Sequence, residues 1–401
     1  MTRHCGFRSF FIGGFESSCH IRRSGERLDL VAATEHDLHI EQDYQRLKSV
    51  GIHTARDAVR WHLIEKRPYH YDWSSVLPMI RAASDTGIQV IWDLCHYGWP
   101  DDLDVFRPEF AHRFAAFAHG FASLLFEETD DTPYFVPVNE ISFLAWAAGD
   151  KGVLSPFATG RGTELKCQLV RATLAAIDAI RDAVPHARIV QVDPLINVVT
   201  EPWMDERQRK DAAGYTRAQF DGFEMTAGRH WPQLGGDMRY LDIIGANYYV
   251  HNQWVLDGLF IERTDSRYRP LHELLTDLYR RYRKPVFLAE TGIEDERRPE
   301  WLEYVADEVI TALRNGVPVE GICLYPIVNH PGWDDDRHCH NGLWDYCNNC
   351  GHREIYKPLA IALERQIARI DDTIRQLKLS SCSPMSAAVL HAEETTVGMS
   401  I

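Results

Sequence analysis

Short apolar runs alternate eight times along the chain with longer stretches in which apolar side chains recur every three to four positions. The runs predict strands over Phe10–Phe15, His53–Trp61, Gln89–Tyr97, Tyr134–Glu140, Arg188–Pro194, Leu241–Val250, Pro285–Gly292 and Val319–Val328. Helices are predicted between them. In Arg113–Phe126 the residues Phe114, Phe117, Phe121 and Leu124 share one face, and Leu165, Leu169, Ala172, Ala176, Ile177 and Ile180 repeat that spacing after the fourth strand. Trp301, Val305, Val309 and Leu313 repeat it after the seventh. Strand starts advance from residue 10 to residue 319, roughly 44 residues per step, which suits a βα unit with long loops. Eight units predict a single-domain (β/α)8 barrel. A doubly wound sheet would need no eighth unit and would carry a Gly-rich phosphate turn after its first strand, which Gly13-Gly14 alone does not supply.

Short turns, Thr86-Gly87 and Asn315-Gly316, precede the third and eighth strands, and the longer loops follow the strands. The longest, from about Asn329 to Glu354, is crowded with His, Cys, Asp and Trp. Residues 1–376 are expected to form the barrel domain. Residues 377–401, rich in Ser, Thr and Ala without a sustained period, are expected to be a flexible tail.

Charge narrows the range of partners. The 401 residues carry 43 basic and 58 acidic side chains, a net charge of −15, with no Lys/Arg-rich run as a local exception. Nucleic acid and anionic membranes are therefore not expected partners. No apolar run approaches the length of a membrane span, and Phe10–Phe15 is too short and glycine-rich for a secretory core. Nine scattered cysteines read as reduced thiols, so a cytoplasmic location is expected. Nothing in the pattern sets an oligomeric state.

In such a barrel the C-terminal strand ends ring one mouth, where the chemistry belongs. The predicted ends bring Arg60, His96, Asn139-Glu140, Asn247-Tyr248 and Glu290 there. Two carboxylates on opposing strands suit glycosidic bond cleavage, one protonating the leaving oxygen while the other attacks or stabilises the oxocarbenium-like centre. An aldolase would need a Schiff-base lysine at a strand end, and none is offered.

Asn139-Glu140 on strand four, Gly245-Ala246-Asn247-Tyr248-Tyr249 on strand six and Ala289-Glu290-Thr291-Gly292 on strand seven carry a resemblance, as do Arg60-Trp61 and the stretch from Asp93 to Pro100. In that order they resemble the clan A retaining β-glycosidases, most of all glycoside hydrolase family 1, over residues 10 to about 370. The resemblance implies Glu140 as general acid/base and Glu290 as the nucleophile of a double displacement, with a small glycoside or oligosaccharide as partner and no cofactor. It also implies that Arg60 and Tyr248 keep Glu290 ionised, that Asn139 and His96 bind ring hydroxyls, and that His20, Asn247, Asn329 and Trp333 complete the sugar shell. Transglycosylation through the same pair, or a catalytically silent sugar-binding protein, are the alternatives.

Departures from family 1 fall in that shell. His20 stands where the family has Gln, Tyr325 where it has Trp, and Gly332 where it has a sugar-binding Glu. Asp334, Asp335, Asp336, His338 and His340 offer replacement hydrogen bonds for a modified or unusual sugar. In the same loop, Cys339, His340, Cys347 and Cys350 have the donor types of a structural zinc site, but their spacing matches no standard module and free thiols are the preferred reading.

Overall fold

The computed structural model describes residues 6–348 and 350–381. Eight parallel strands close a barrel in chain order: β1 (Phe11–Gly14), β2 (Thr54–Ala58), β3 (Gln89–Asp93), β4 (Tyr134–Val136), β5 (Arg188–Pro194), β6 (Ile243–Asn247), β7 (Val286–Thr291) and β8 (Val319–Leu324). Pairing of β8 with β1, through Phe11↔Ile322 and Gly13↔Leu324, leaves the sheet without an edge. The main helices are α1 (Ile40–Ser49), α2 (Leu77–Thr86), α3 (Pro108–Glu128), α4 (Gly162–Ala183), α5 (Glu206–Ala218), α6 (Leu271–Tyr282), α7 (Arg298–Arg314) and α8 (Lys357–Ser381). The expected (β/α)8, or TIM, barrel is thus the observed architecture.

The predicted stripes are what the helices bury. On α3, Phe110, Phe114, Phe117 and Phe121 are all buried, and the Trp61 ring stacks on Phe117 at 5.2 Å. Burial of each such ring stabilises the fold by about 1.5–3 kcal/mol. Gly87 ends α2 in the left-handed conformation (φ 72°), which a side chain would strain.

A second core fills the barrel itself, from Ile12, Ile91, Tyr134, Val136, Val190, Val192, Ile243, Phe287, Ala289 and Cys323. Phe7 packs against it, its ring 5.4 Å from Tyr134 and 5.1 Å from Phe287. The wall is tight at Gly245, where a Cβ would lie 2.7 Å from Val192 and 2.9 Å from Ala289.

Most strands stop sooner than the apolar pattern suggests. The chain leaves the sheet after Ala58, Asp93 and Val136, and Tyr97 and Glu140 take left-handed backbone conformations (φ 67° and 49°) in the turns beyond. Non-glycine residues in that region are held there by their surroundings and cluster at functional sites.

The long loop after β8 has structure of its own. β9 (His330–Pro331) pairs with β10 (His338–Cys339), and β11 (Trp344–Cys347) pairs with β12 (Arg353–Ile355). The buried Arg353 guanidinium ties this loop to the body of the barrel, donating to both Asp43 oxygens (2.8 and 2.9 Å) and to the Thr34 carbonyl (2.8 Å). Helix α8 continues through Ser381, past the start of the expected tail, and residues 382–401 lie outside the described part. The described cysteines are free thiols. No helix among the described residues is long and apolar enough to cross a membrane.

Candidate active site

Alternation along β2 points Arg56 into the barrel and Asp57 out of it. Arg56 is fully buried, and all five of its N–H donors find acceptors: Asp93 takes Nε (3.0 Å) and Nη2 (2.7 Å), Glu290 Oε1 (2.8 Å) and the Ala289 carbonyl (3.0 Å) take Nη1, and Asn139 Oδ1 (2.7 Å) takes Nη2. One guanidinium therefore joins β2, β3, β7 and the turn after β4.

Glu290 reaches the mouth through a β-bulge. One step along β6, from Ala246 to Asn247, spans two along β7, from Leu288 to Glu290. The extra residue re-aims the side chain, as bulges beside active sites do. Its Oε2 accepts a hydrogen bond from Tyr249 O–H at 2.9 Å. Across the mouth, Glu140 accepts from Asn247 Nδ2 (2.9 Å) and from the Tyr97 hydroxyl.

Both carboxylates are buried. Burial raises the pKa of each, that of Glu290 to about 7; Arg56 and His96 pull against the rise at both, and at Glu290 the negative charge of Glu140 adds to it. The two titrate as a pair. Arg56 bonds Glu290 directly, whereas the hydrogen bonds to Glu140 come from the neutral Tyr97 and Asn247. Beneath Glu140, Asp193 accepts from the Ser142 amide (2.9 Å) and hydroxyl (3.0 Å), yet burial pushes its carboxyl up to about 8.

His96 lies between these groups. Its Nδ1 bonds Asp93 (2.8 Å), and its Nε2 faces Asn139 Nδ2 (3.2 Å) and Tyr325 O–H (3.3 Å). Burial disfavours the charged ring, but the bond to Asp93 and its charge outweigh that and raise the pKa. A third buried carboxylate, Glu16 just beyond β1, accepts from the Ser18 amide at 3.0 Å. Burial works against its charge, and the nearby His330 and His96 more than compensate, holding its pKa low. His20 is buried against Trp333 (ring centroids 5.1 Å apart), and neither of its ring nitrogens has a partner among the described residues. Burial holds that ring neutral, down to about 4. Trp333 also meets the Tyr97 ring edge-on at 5.7 Å.

Three expected residues stand elsewhere. Arg60, beyond the end of β2, pairs with Asp29 (3.2 Å) and Asp37 (2.9 Å), and Arg56 takes the place beside Glu290 that Arg60 was expected to fill. Tyr248 faces away from Glu290: its hydroxyl bonds Tyr268 (2.6 Å) and Gln253 (2.9 Å), its ring stacks on Trp301, and Tyr249 is the partner of Glu290. Asn329 has both ends of its amide engaged within the loop, accepting from the Gly342 amide (2.7 Å) and donating to Asp345 (3.0 Å), so it braces the loop. The remaining expected residues, Glu140, Glu290, His96, Asn139, Asn247, His20 and Trp333, gather at the mouth. Arg56, Tyr97, Asp93, Glu16, Tyr249 and Tyr325 complete it. The parity of Tyr249 with Asn247 was a signal available in the sequence; Arg56 and Arg60 share one parity, and only the end of β2 at Ala58 separates them.

The Cys/His group of the long loop does not assemble as one unit. Cys339 is buried and bonds the Arg337 carbonyl (3.8 Å), and the exposed His340 stacks on His338 at 4.2 Å. Cys347 instead meets Glu35 and His39.

No family model matches the chain, and no curated protein matches it. Solved structures do. The chain is similar to a family 1 β-glucosidase from Thermotoga maritima in complex with isofagomine lactam, with a TM-score of 0.72 at 16% identity, covering 90% of this chain and 98% of that one. It is similar also to the AHE enzyme from Alicyclobacillus herbarius, with a TM-score of 0.74 at 18% identity over 92% and 99% of the two chains. At these identities the likeness is one of fold. Over some nine-tenths of its length the chain shares the fold of these structures.

Proposed function

We propose that the protein is a glycoside hydrolase that cleaves β-linked glycosides with retention, through a double displacement. The observation that carries this reading is the buried Glu140–Glu290 pair at the mouth of the barrel, held by unequal partners. Glu290, kept anionic by Arg56 and Tyr249, attacks the anomeric carbon. Glu140 delivers its proton to the departing glycosidic oxygen, so the C–O bond breaks as the glycosyl ester forms. Glu140, now a carboxylate, then takes a proton from water, whose oxygen displaces Glu290 and returns the anomeric centre to its starting configuration.

Groups that suit a hydroxylated ring line the mouth: His20, whose ring nitrogens have no partner among the described residues, Asn247, whose Oδ1 has none there either, and the ring of Trp333. At Gly332, where the resemblance implies loss of a sugar-binding carboxylate, a Cβ would lie 2.0 Å from Asp335 Oδ1. The Asp335 carboxylate thus fills that volume, which supports a sugar with outer substituents different from those of glucose.

The test is hydrolysis of a panel of aryl β-glycosides by the native chain and by Glu290→Ala, with azide added to the variant. The proposal expects a substrate whose turnover is lost in the variant, with azide then yielding a glycosyl azide of inverted configuration. Equal turnover by the variant, or product of inverted configuration from the native enzyme, would overturn it.

A further inference from the structure

We propose that Glu35, His39 and Cys347 form a binding site for a divalent cation of the zinc class, with Cys350 as the fourth donor, and that this metal clasps the long loop after β8 to the start of α1. Donor atoms of Glu35, His39 and Cys347 all lie within 4.8 Å of one another; Cys350, exposed on the adjoining turn, is not among them and joins by a side-chain rearrangement. Cys347 Sγ is 2.7 Å from Glu35 Oε2, and His39 Nε2 is 3.7 Å from the same oxygen. Zinc bound to one thiolate, one imidazole and one carboxylate at ordinary bond lengths separates its donors by about 3.3–3.7 Å. The described arrangement is therefore within a small side-chain adjustment of a tetrahedral face.

Three further features favour a built site over a chance meeting. The donors come from two segments some three hundred residues apart in the chain, and the buried Arg353–Asp43 pair and the Arg353 bond to Thr34 lock those segments together next to the site. The donors span thiolate, imidazole and carboxylate, a set that selects zinc-class metals over calcium or magnesium. Cys347 and Cys350 form a Cys-x-x-Cys pair followed by Gly351, in the turn between β11 and β12. Gly351 is left-handed (φ 73°), and a Cβ there would sit 2.7 Å from the His39 ring, so the glycine lets the turn close down on that ligand. The Arg46 guanidinium bonds the Gly351 carbonyl, fixing the turn on α1.

The consequence concerns the loop, not the reaction. The same loop carries Trp333 to the mouth, so a metal at its far end would hold that platform in place without touching the reacting atoms.

The full chain, purified under reducing and chelator-free conditions, should contain one zinc per molecule by plasma mass spectrometry. After chelation, cobalt added to the apo chain should give thiolate-to-cobalt charge-transfer absorption. His39→Ala and Cys347→Ser should each weaken zinc binding by at least about 10–100-fold, the loss that follows removal even of groups outside the coordination sphere. Glu35→Gln, which keeps the side chain's shape, covers the case in which the other two fail to fold, as circular dichroism would reveal. Cys350→Ser should weaken binding and lower the charge-transfer intensity, whereas Cys339→Ser should change neither. Absence of zinc and of the cobalt band in the native chain, a Cys347–Cys350 disulfide surviving reduction, or full binding by folded Cys347→Ser would overturn the site. Unchanged binding in Cys350→Ser would overturn the assignment of the fourth donor.

Discussion

Replacing Tyr249 with Phe removes one hydroxyl and no other contact of Glu290. That hydroxyl donates to Glu290 Oε2 at 2.9 Å, while Oε1 keeps its Arg56 ion pair at 2.8 Å. A hydrogen bond to a charged group contributes about 1.5–3 kcal/mol, and each pKa unit corresponds to about 1.36 kcal/mol. Because the bond favours the ionised form, its loss raises the pKa of Glu290. The acid limb of the kcat/KM profile should therefore move up by about one to two units. Tyr248→Phe is the matched control, since its hydroxyl bonds Tyr268 and Gln253 outside the mouth. That variant should lose about 0.5–1.5 kcal/mol of stability and keep the native acid limb. The assay is a kcat/KM profile for all three proteins on one activated glycoside, with a urea unfolding curve for each. A shifted limb in Tyr248→Phe with an unshifted one in Tyr249→Phe would refute the geometry.

Glu140→Gln should lower kcat by roughly 10²–10⁴ for glycosides with poor leaving groups and far less for activated aryl leaving groups, which need no proton; a leaving-group series checks this. Trp333→Ala should raise KM by on the order of 2–10-fold with kcat little changed, measurable by steady-state kinetics. Buried His36 contacts Asp43 (2.8 Å) and Asp57 (2.9 Å); burial opposes its charge, yet those carboxylates lift its pKa from an ordinary 6.5 to about 9. Its contribution, about 3 kcal/mol by linkage, is fully present below pH 6.5 and lost as pH rises through about 9. Urea unfolding of native protein and His36→Gln between pH 6 and pH 10 should show the difference between the two shrink by about that amount.

The strand-helix periodicity was enough to read the barrel, because each of the eight units buries one face and the repeat survives variation in loop length. It also located both carboxylates and, of their hydrogen-bond partners, Asn247. Two of the three displaced residues lie just past a strand end. Period-two reasoning holds inside a strand, and the mouth lies where the strands have just ended. Reading β2 out to Trp61 placed Arg60 at its tip, although the strand stops at Ala58 and Arg56 is the inward-facing arginine. Tyr249, not Tyr248, shares the parity of inward-facing Asn247 and bonds Glu290. Glu290 itself breaks parity with Phe287 and Ala289 and enters the mouth through a bulge that no apolar pattern records. Asn329 lies on the predicted loop, and only the structure shows its amide engaged by Gly342 and Asp345. Cys347 was legible as a candidate metal ligand, but its meeting with Glu35 and His39 was not, since it joins segments distant in sequence.

The central claim is that Glu290 becomes covalently bound to sugar, and trapping tests it most directly. Incubation with an activated 2-deoxy-2-fluoro glycoside of the sugar found by the panel, followed by peptide mass spectrometry, should show a single glycosyl adduct on the peptide containing Glu290, and none in Glu290→Ala. An adduct on another carboxylate, or steady turnover of that sugar's glycosides with no adduct formed, would contradict the account.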